Sequence, residues 1–167
     1  MIHSKINHPR FIVDAMLGNI AKKLRLFGFD TEYHSDIEDE SIIKTALIQT
    51  RILITKDKRL YQTIKGTSIF ALLPTSNIEI EILIDILTAC KIRFINLLPN
   101  PLTRCTICNG LIITLNKNLA IEYIPRKVFE YVNCVYRCTH CKKIYWNGTH
   151  IKHVNELIKE INEQIDR

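Results

Sequence analysis

Four of the six cysteines stand in two pairs with metal-ligand spacing. Cys105 and Cys108 are separated by two residues, and Cys138 and Cys141 repeat the pattern. A turn of this kind points two thiolates at one position, and two such turns complete a tetrahedral four-sulfur site of the type that holds structural zinc. Because four protein ligands leave no open coordination position, we expect a zinc ion that stabilises the local fold and performs no chemistry.

A second group of side chains that could do chemistry is acidic. Asp14 ends a short apolar run, and Asp57 follows the most strand-like run of the chain. Between them, Asp36 and Asp39 belong to a cluster of acids at the start of a predicted helix. In parallel α/β folds, positions beyond the carboxyl ends of strands meet at one edge of the sheet. Converging carboxylates repel each other unless a cation neutralises them, and oxygen ligands suit Mg²⁺ or Mn²⁺. The pattern is therefore compatible with phosphodiester hydrolysis, in which such an ion holds the phosphate and activates water.

Each acid also has a purely structural explanation. A carboxylate such as Asp39 is stabilised by ~0.3–1 kcal/mol at a helix N-terminus, and an aspartate before a turn, such as Asp57, is common. Asp14 is harder to explain in this way, because a charge at the end of a buried strand costs desolvation free energy.

The segments that would position these acids alternate between strand and helix. Short apolar runs predict strands at 10–14, 31–34, 52–55, 67–73 and 92–97. Apolar residues at helical spacing predict helices at 15–27, 39–50 and 76–91. Strands separated by helices of this length pair in parallel through right-handed crossovers, so this part of the chain is predicted to be an α/β domain.

A pair of prolines, Pro99 and Pro101, interrupts the pattern and predicts a domain boundary. The boundary divides the chain into an α/β domain, residues 1–100, and a module that carries the cysteines, residues 101–167.

The second module has a different composition. Residues 112–115 and 128–132 suit the β-hairpins of a small zinc ribbon. An amphipathic helix is predicted from Thr149 to the C-terminus, because apolar residues recur there at helical spacing.

Positive charge is concentrated in the cysteine module. The chain carries a formal net charge of +6, to which residues 1–100 contribute +2, residues 101–155 contribute +6 and residues 156–167 contribute −2. The basic residues of this module are interleaved with tyrosine, phenylalanine and tryptophan. Cations beside aromatic faces suit single-stranded nucleic acid, although the same residues would also suit a solvated surface over a small core.

The sequence shows neither a membrane span nor an export signal. Its most apolar stretch, residues 78–90, is shorter than the ~20 residues that a span needs and contains three acids. Residues 1–5 lack the apolar segment of a signal peptide. We therefore expect a cytoplasmic protein, a compartment in which the paired cysteines would not form disulfides.

Three motifs, in order, resemble a known family. Residues 11–30 (FIVDAMLGNIAKKLRLFGFD) resemble the opening signature of the Mut-seven C-terminal RNase domain family, and residues 52–57 (ILITKD) resemble its second motif. The paired cysteines with residues 145–150 (YWNGTH) resemble its zinc-ribbon ending. The resemblance covers residues 10–155. It implies a PIN-like three-layer α/β/α domain with a central parallel sheet, a fused zinc ribbon and divalent-metal-dependent hydrolysis of RNA.

The resemblance also implies roles for the acids. Asp14 matches the first acid of the PIN-like site and Asp57 the later one. Asp39 matches the acid that opens the second helix, with Asp36 as a close alternative.

One position departs from the PIN pattern. A fourth acid often follows the strand that supplies the later one, but here that neighbourhood reads Lys58-Arg59. A second metal position would then be weak or absent, and Lys56 and Arg59 would instead position the phosphate.

Together these observations predict a small RNase. Asp14, Asp39 and Asp57 would bind Mg²⁺ or Mn²⁺, activate water and cleave RNA to leave a 5′-phosphate. The substrate would be single-stranded RNA or a structured RNA such as tRNA. It would dock on the basic residues of the ribbon: Arg104, Arg126, Lys127, Arg137, Lys142 and Lys143. Two alternatives remain open, a non-catalytic RNA-binding module and a toxin-like PIN domain held by a protein partner.

Overall fold

A parallel sheet of four strands, in the order β2-β1-β3-β4, lies at the centre of the α/β unit. The computed structural model describes residues 8–36, 38–99 and 103–166. The strands are β1 (Phe11–Val13), β2 (Thr31–Tyr33), β3 (Ile52–Ile54) and β4 (Ala71–Leu72). The helices of this unit are α1 (Gly18–Leu26), α2 (Asp39–Gln49), α3 (Lys58–Ile64) and α4 (Glu79–Ala89). The α/β class and the parallel sheet predicted from the sequence are confirmed.

Strand β1 is buried on both faces, as expected for the centre of a parallel sheet. Phe11 and Val13 belong to one hydrophobic core, which they share with α1 and α4. Ile12 belongs to a second core, which it shares with α2 and α3. Alternate residues of β1 therefore pack against helices on opposite faces of the sheet, and the unit has three layers, helices, sheet and helices.

The strand order reverses beside β1. The chain passes from β1 to β2 on one side and then returns to place β3 on the other side. In open parallel sheets, a crevice forms outside the carboxyl ends of the strands at this switch point. Asp14 directly follows β1, and Asp57 lies shortly after β3.

The segment 92–97, for which a strand is predicted, contains none in the described residues. Two side chains of the last helix, α6 (Thr149–Ile165), bind the backbone of Ile95 within this segment and of Leu98 directly after it. The Asn162 amide accepts a hydrogen bond from Ile95 N over 2.8 Å and donates one to Ile95 O over 2.9 Å. Asn155 binds Leu98 in the same way, over 2.7 and 2.9 Å. These amides satisfy the backbone groups that a neighbouring strand would otherwise bind.

Helix α6 packs against α4. Its buried residues Val154, Ile158 and Ile161 belong to the same core as Phe11 and Val13. The last helix thus completes one helical layer of the α/β unit. The domain boundary predicted at residue 100 stays a prediction, and residues 100–102 lie outside the described part of the chain.

The cysteine module contains a three-stranded antiparallel sheet in the order β5-β6-β7. Its strands are β5 (Ile112–Asn116), β6 (Cys134–Cys138) and β7 (Ile144–Tyr145). The strand predicted at 128–132 is wrong, because a short helix, α5 (Arg126–Tyr131), lies there. Ile124, Val128 and Val132 recur every four residues and pack together in the core of the module, which is a helical rather than a strand period.

Among the described residues, no helix combines the length and the apolar character needed to cross a bilayer.

Candidate functional site

Asp14 and Asp57 are linked through a buried threonine at the carboxyl edge of the sheet. The hydroxyl of Thr55 donates a hydrogen bond to Asp14 Oδ2 over 2.7 Å and accepts one from Asp57 N over 2.9 Å. Asp14 N also donates to Ile54 O over 3.0 Å, so that the backbone at Asp14 is joined to β3. Thr55 is completely buried, whereas both aspartates are half-buried. The two carboxylates therefore have fixed backbones and partial access to solvent.

The carboxylate of Asp57 also begins helix α3. Its Oδ1 accepts hydrogen bonds from Arg59 N over 2.6 Å and from Leu60 N over 3.2 Å. This is an ordinary N-cap arrangement, in which a side-chain oxygen satisfies amides of the first helical turn. Asp57 thus has a structural role that does not require a metal ion.

Asp36 and Asp39 lie on the neighbouring segment that follows β2. Both are exposed, Ser35 donates a hydrogen bond to Asp36 Oδ2 over 3.1 Å, and Asp39 is the first residue of α2. Among the described residues, these acids do not join Asp14 and Asp57 in a group of three or more side chains close enough to hold an ion. Which of them acts with Asp14 stays a prediction.

A cavity of about 600 Å³ lies beside this edge of the sheet and is called the edge cavity below. Its lining includes residues 16–20, which follow Asp14, together with Lys22, Lys56 and Asn77. Lys56 Nζ donates to Asn77 Oδ1 over 2.7 Å, which holds this ammonium group at the cavity. Arg59 is exposed on α3.

The four paired cysteines come together as predicted. Their sulfur atoms all lie within 4.8 Å of one another. Burial raises the pKa of Cys108, but hydrogen bonds from the Gly110 backbone and from neighbouring thiols outweigh it and lower that pKa to about 5. Tyr145 Oη lies 3.0 Å from Cys105 Sγ, within hydrogen-bond distance. Four sulfur atoms this close together, with a hydroxyl partner beside one of them, fit a metal ion and are consistent with zinc.

The first cysteine pair is bound to the α/β unit by a buried arginine. The Arg25 guanidinium donates to the carbonyl oxygens of Thr31, Thr106 and Ile107 over 2.9, 3.0 and 3.1 Å. Because Thr106 and Ile107 are the two residues between Cys105 and Cys108, this arginine joins the cysteine turn to β2.

Asn109 makes a second link between the two units. Its Oδ1 accepts a hydrogen bond from Thr31 N over 3.0 Å, and its Nδ2 donates to Asp30 Oδ1 over 2.8 Å. Asn109 adopts a φ of 62°, a left-handed conformation that asparagine tolerates better than most residues.

The basic residues predicted to bind RNA differ in exposure. Arg126, Lys127, Lys142 and Lys143 are exposed, and Arg126 lies 3.8 Å from Glu130 on the same helix. Arg104 is half-buried and donates to Asn109 O over 3.0 Å, so part of its role is structural. Arg137 is half-buried as well.

A family model described as the Mut7-C RNAse domain matches residues 9–158. The chain belongs to the Mut7-C RNAse domain family. No curated protein and no solved structure matches it. The match includes Asp14, Asp57 and all four paired cysteines, and it confirms the resemblance found in the sequence. Membership of the Mut7-C family points to a nuclease that acts on RNA.

Sequence reasoning missed several residues that organise this Mut7-C domain. The sequence predicts Thr55 only as part of a strand, although a polar residue between a buried strand and an aspartate is a weak signal for such a link. Arg25 and Asn109 gave no signal, because their partners are distant backbone carbonyls and amides. Such partners become visible only in the folded chain.

Proposed function

We propose that this Mut7-C domain is a divalent-metal-dependent ribonuclease of PIN-like type, with its reaction centre at Asp14 and Asp57. The observation that carries the proposal is the hydrogen-bonded link from Asp14 through Thr55 to Asp57 at the switch point of the sheet. This edge is where open α/β sheets bind ligands. Two half-buried carboxylates with fixed backbones are suitable oxygen ligands for Mg²⁺ or Mn²⁺.

When bound there, the ion would polarise the scissile phosphate and lower the pKa of an attacking water, so that hydrolysis leaves a 5′-phosphate. Asp14 supplies an oxygen ligand whose position Thr55 holds. Asp57 supplies a second oxygen ligand, Oδ2, because the amides of the α3 cap bind Oδ1. Asp39, or Asp36 in its place, adds a carboxylate from the segment after β2.

The cations beside the edge would position the RNA backbone. Lys56 is held at the edge cavity by Asn77, and Arg59 is exposed in the first turn of α3. On the cysteine module, the proposed phosphate contacts are Arg104, Arg126, Lys127, Arg137, Lys142 and Lys143. If these contacts are electrostatic, RNA affinity decreases steeply between about 50 and 200 mM salt. The substrate is single-stranded RNA or the accessible single-stranded part of a folded RNA such as tRNA.

The ion of the cysteine cluster is proposed to be structural zinc. Four sulfur ligands leave no coordination position for water or substrate, so this ion stabilises the module and takes no part in hydrolysis. Its effect on the reaction would be indirect, through the Arg25 and Asn109 links to β2.

The test is cleavage of end-labelled single-stranded RNA and tRNA by zinc-loaded protein, in Mg²⁺, in Mn²⁺ and without added divalent ion. We expect cleavage that requires the divalent ion and disappears in Asp14→Asn. Asp85→Asn is the matched control, because it makes the same change at an exposed position on α4. Equal cleavage by Asp14→Asn and wild type would contradict the proposal.

A non-catalytic RNA-binding module is the second candidate, and the cap that Asp57 forms on α3 favours it. In that case the carboxylates stabilise the fold and no ion binds between them. Wild-type protein would then bind RNA and leave it intact in every metal.

A further inference from the structure

A second cavity, of about 480 Å³, lies between α1, the cysteine module and α6. Tyr136, Tyr145 and Trp146 contribute to its wall, and Leu26 and Val154 are among its apolar lining residues. We call it the aromatic cavity. Its volume lies within the roughly 300–1,000 Å³ typical of small-molecule sites. Tyr145 Oη lies 3.0 Å from Cys105 Sγ and 3.4 Å from Thr106 Oγ1, so this part of the wall contacts the cysteine cluster.

The charge around the aromatic cavity favours an anionic ligand. Its described lining includes two lysines and two histidines and neither Asp nor Glu. Lys23 is paired with Glu79 over 2.8 Å, and His153 Nδ1 lies 3.4 Å from Glu156. Lys22 and His150 have no carboxylate partner among the described residues. An apolar, aromatic interior with such a rim does not suit a purely apolar ligand.

Lys22 is shared by the aromatic cavity and the edge cavity. It lines both the aromatic cavity and the edge cavity, whose lining also includes the residues that follow Asp14. A phosphate bound by Lys22 would therefore lie beside both cavities.

We propose that the aromatic cavity binds one nucleobase of single-stranded RNA, while Lys22 contacts the backbone phosphate between this base and the reaction centre. The proposal rests on the proposed function, since it concerns the same substrate strand. Stacking on aromatic side chains is the usual way in which proteins hold unpaired bases, because every base has a π face. Asn147 lines the cavity and supplies an amide for the polar edge of the base.

Trp146 provides a direct test, because it is the only tryptophan in the chain. Hexaadenylate and hexauridylate RNA are titrated into zinc-loaded protein without other divalent ions, and Trp146 fluorescence is recorded. Linear polyphosphate is the control, a polyanion without bases. We expect quenching by both RNAs and none by polyphosphate. Equal responses to RNA and to polyphosphate would overturn the proposal.

The matched variants are Trp146→Ala, Trp146→Phe and Tyr131→Ala, the last removing an exposed aromatic ring outside the cavity. We expect the affinity for labelled RNA to decrease roughly 5- to 150-fold in Trp146→Ala, the loss of one stacked base. Trp146→Phe and Tyr131→Ala stay close to wild type. A fully folded, zinc-loaded Trp146→Ala that binds RNA like wild type would contradict the proposal. If Trp146→Ala fails to fold, the quenching experiment on the wild-type protein alone tests whether a base binds in the aromatic cavity.

Lys22→Ala tests the phosphate contact. We expect it to reduce the slope of log affinity against log salt by about 0.7, the value for one phosphate on a single strand. Lys65→Ala, which replaces an exposed lysine outside both cavities, leaves the slope unchanged. An unchanged slope in Lys22→Ala would show that Lys22 does not contact a phosphate of the RNA.

Binding and cleavage separate the two proposals. The titrations are repeated in Asp14→Asn, which removes the carboxylate of the proposed reaction centre. We expect Asp14→Asn to lose cleavage and to keep the base-dependent quenching. If wild type shows this quenching but cleaves RNA with none of the divalent ions, the nuclease is refuted and the base site is supported. Metal-dependent cleavage without base-dependent quenching would support the nuclease and refute base binding in the aromatic cavity.

Discussion

The buried hydroxyl of Thr55 donates a hydrogen bond to Asp14 Oδ2 over 2.7 Å, although the two residues are 41 positions apart in the chain. The contact forms because β1 and β3 are adjacent parallel strands and both residues lie just beyond their carboxyl ends. The same hydroxyl accepts a hydrogen bond from Asp57 N. One threonine thus contacts the carboxylate of Asp14 and the backbone of Asp57.

Thr55→Val keeps the shape of the side chain and removes the hydroxyl. We expect RNA cleavage to slow roughly tenfold to a hundredfold, because a hydrogen bond to a charged group is worth about 1.5–3 kcal/mol. The change is measured as the single-turnover cleavage rate. Thr55→Ser restores the hydroxyl and should recover most of the rate. If Thr55→Val cleaves as fast as wild type, Thr55 does not position Asp14.

Two substitutions of Asp57 separate its cap from its charge. Asparagine caps helices about as well as aspartate, whereas alanine loses the cap at a cost of roughly 0.5–2 kcal/mol. We expect Asp57→Asn to retain stability and lose cleavage, and Asp57→Ala to lose both. Thermal unfolding measures the stability of the two variants, and the RNA assay measures their cleavage. Full activity in Asp57→Asn would leave the cap as the only role of this residue.

Acid sensitivity should depend on Asp30. Burial raises the pKa of its carboxyl group, but hydrogen bonds from Arg51 and Asn109 and the charge of Arg51 outweigh burial and leave the pKa below its usual value. A lowered folded-state pKa stabilises the protein fully above the unfolded-state pKa of about 4, and this stabilisation is lost as pH falls toward the folded-state value. We therefore expect Asp30→Asn to lower stability near neutral pH and to differ less from wild type below about pH 4.

Chemical unfolding at several pH values measures this difference. Asp85→Asn, on the exposed side of α4, serves as the control and should show no comparable pH dependence. A constant difference between Asp30→Asn and wild type from pH 3 to pH 7 would contradict the interpretation.

Gly110 tests how closely the chain approaches the cysteine cluster. A Cβ at this position would lie 2.8 Å from Cys138 Sγ and 3.4 Å from Cys108 Sγ, closer to the first sulfur than packing allows. We expect Gly110→Ala to weaken metal binding and to lower the unfolding temperature. Gly148→Ala is the control, because a Cβ there meets only Trp146 atoms at 3.7 Å. Competition with a chromophoric zinc chelator compares the two variants, and equal zinc affinity would show that the close approach has no effect.

The sequence predicts those parts of the fold that depend on local pattern. The buried strand 52–54 and the amphipathic helices follow from hydrophobic periodicity, and the cysteine cluster follows from spacing alone. Helix α3 is not predicted from the sequence, because it has only seven residues. Two signals for it are present: Asp57 is a suitable N-cap, and the buried residues Leu60 and Ile64 are four positions apart.

The remaining differences depend on long-range partners. Residues 92–97 have the pattern of a strand, but the backbone of Ile95 and of the following Leu98 binds two asparagines of α6 instead of a sheet, which the local pattern does not reveal. The sequence predicts that Asp14 and Asp57 lie at one edge of the sheet. It does not identify Thr55 between them, because the contact between Thr55 and Asp14 joins two distant parts of the chain.

RNA hydrolysis as proposed requires that the carboxylates at the β1–β3 edge hold a divalent ion. The most direct measurement is calorimetric titration of Mn²⁺ into zinc-loaded wild type, Asp14→Asn and Asp85→Asn. We expect Mn²⁺ to bind to wild type and to Asp85→Asn, and this binding to be lost in Asp14→Asn while the zinc content stays the same. Equal Mn²⁺ binding by all three proteins, or none by wild type, would contradict it.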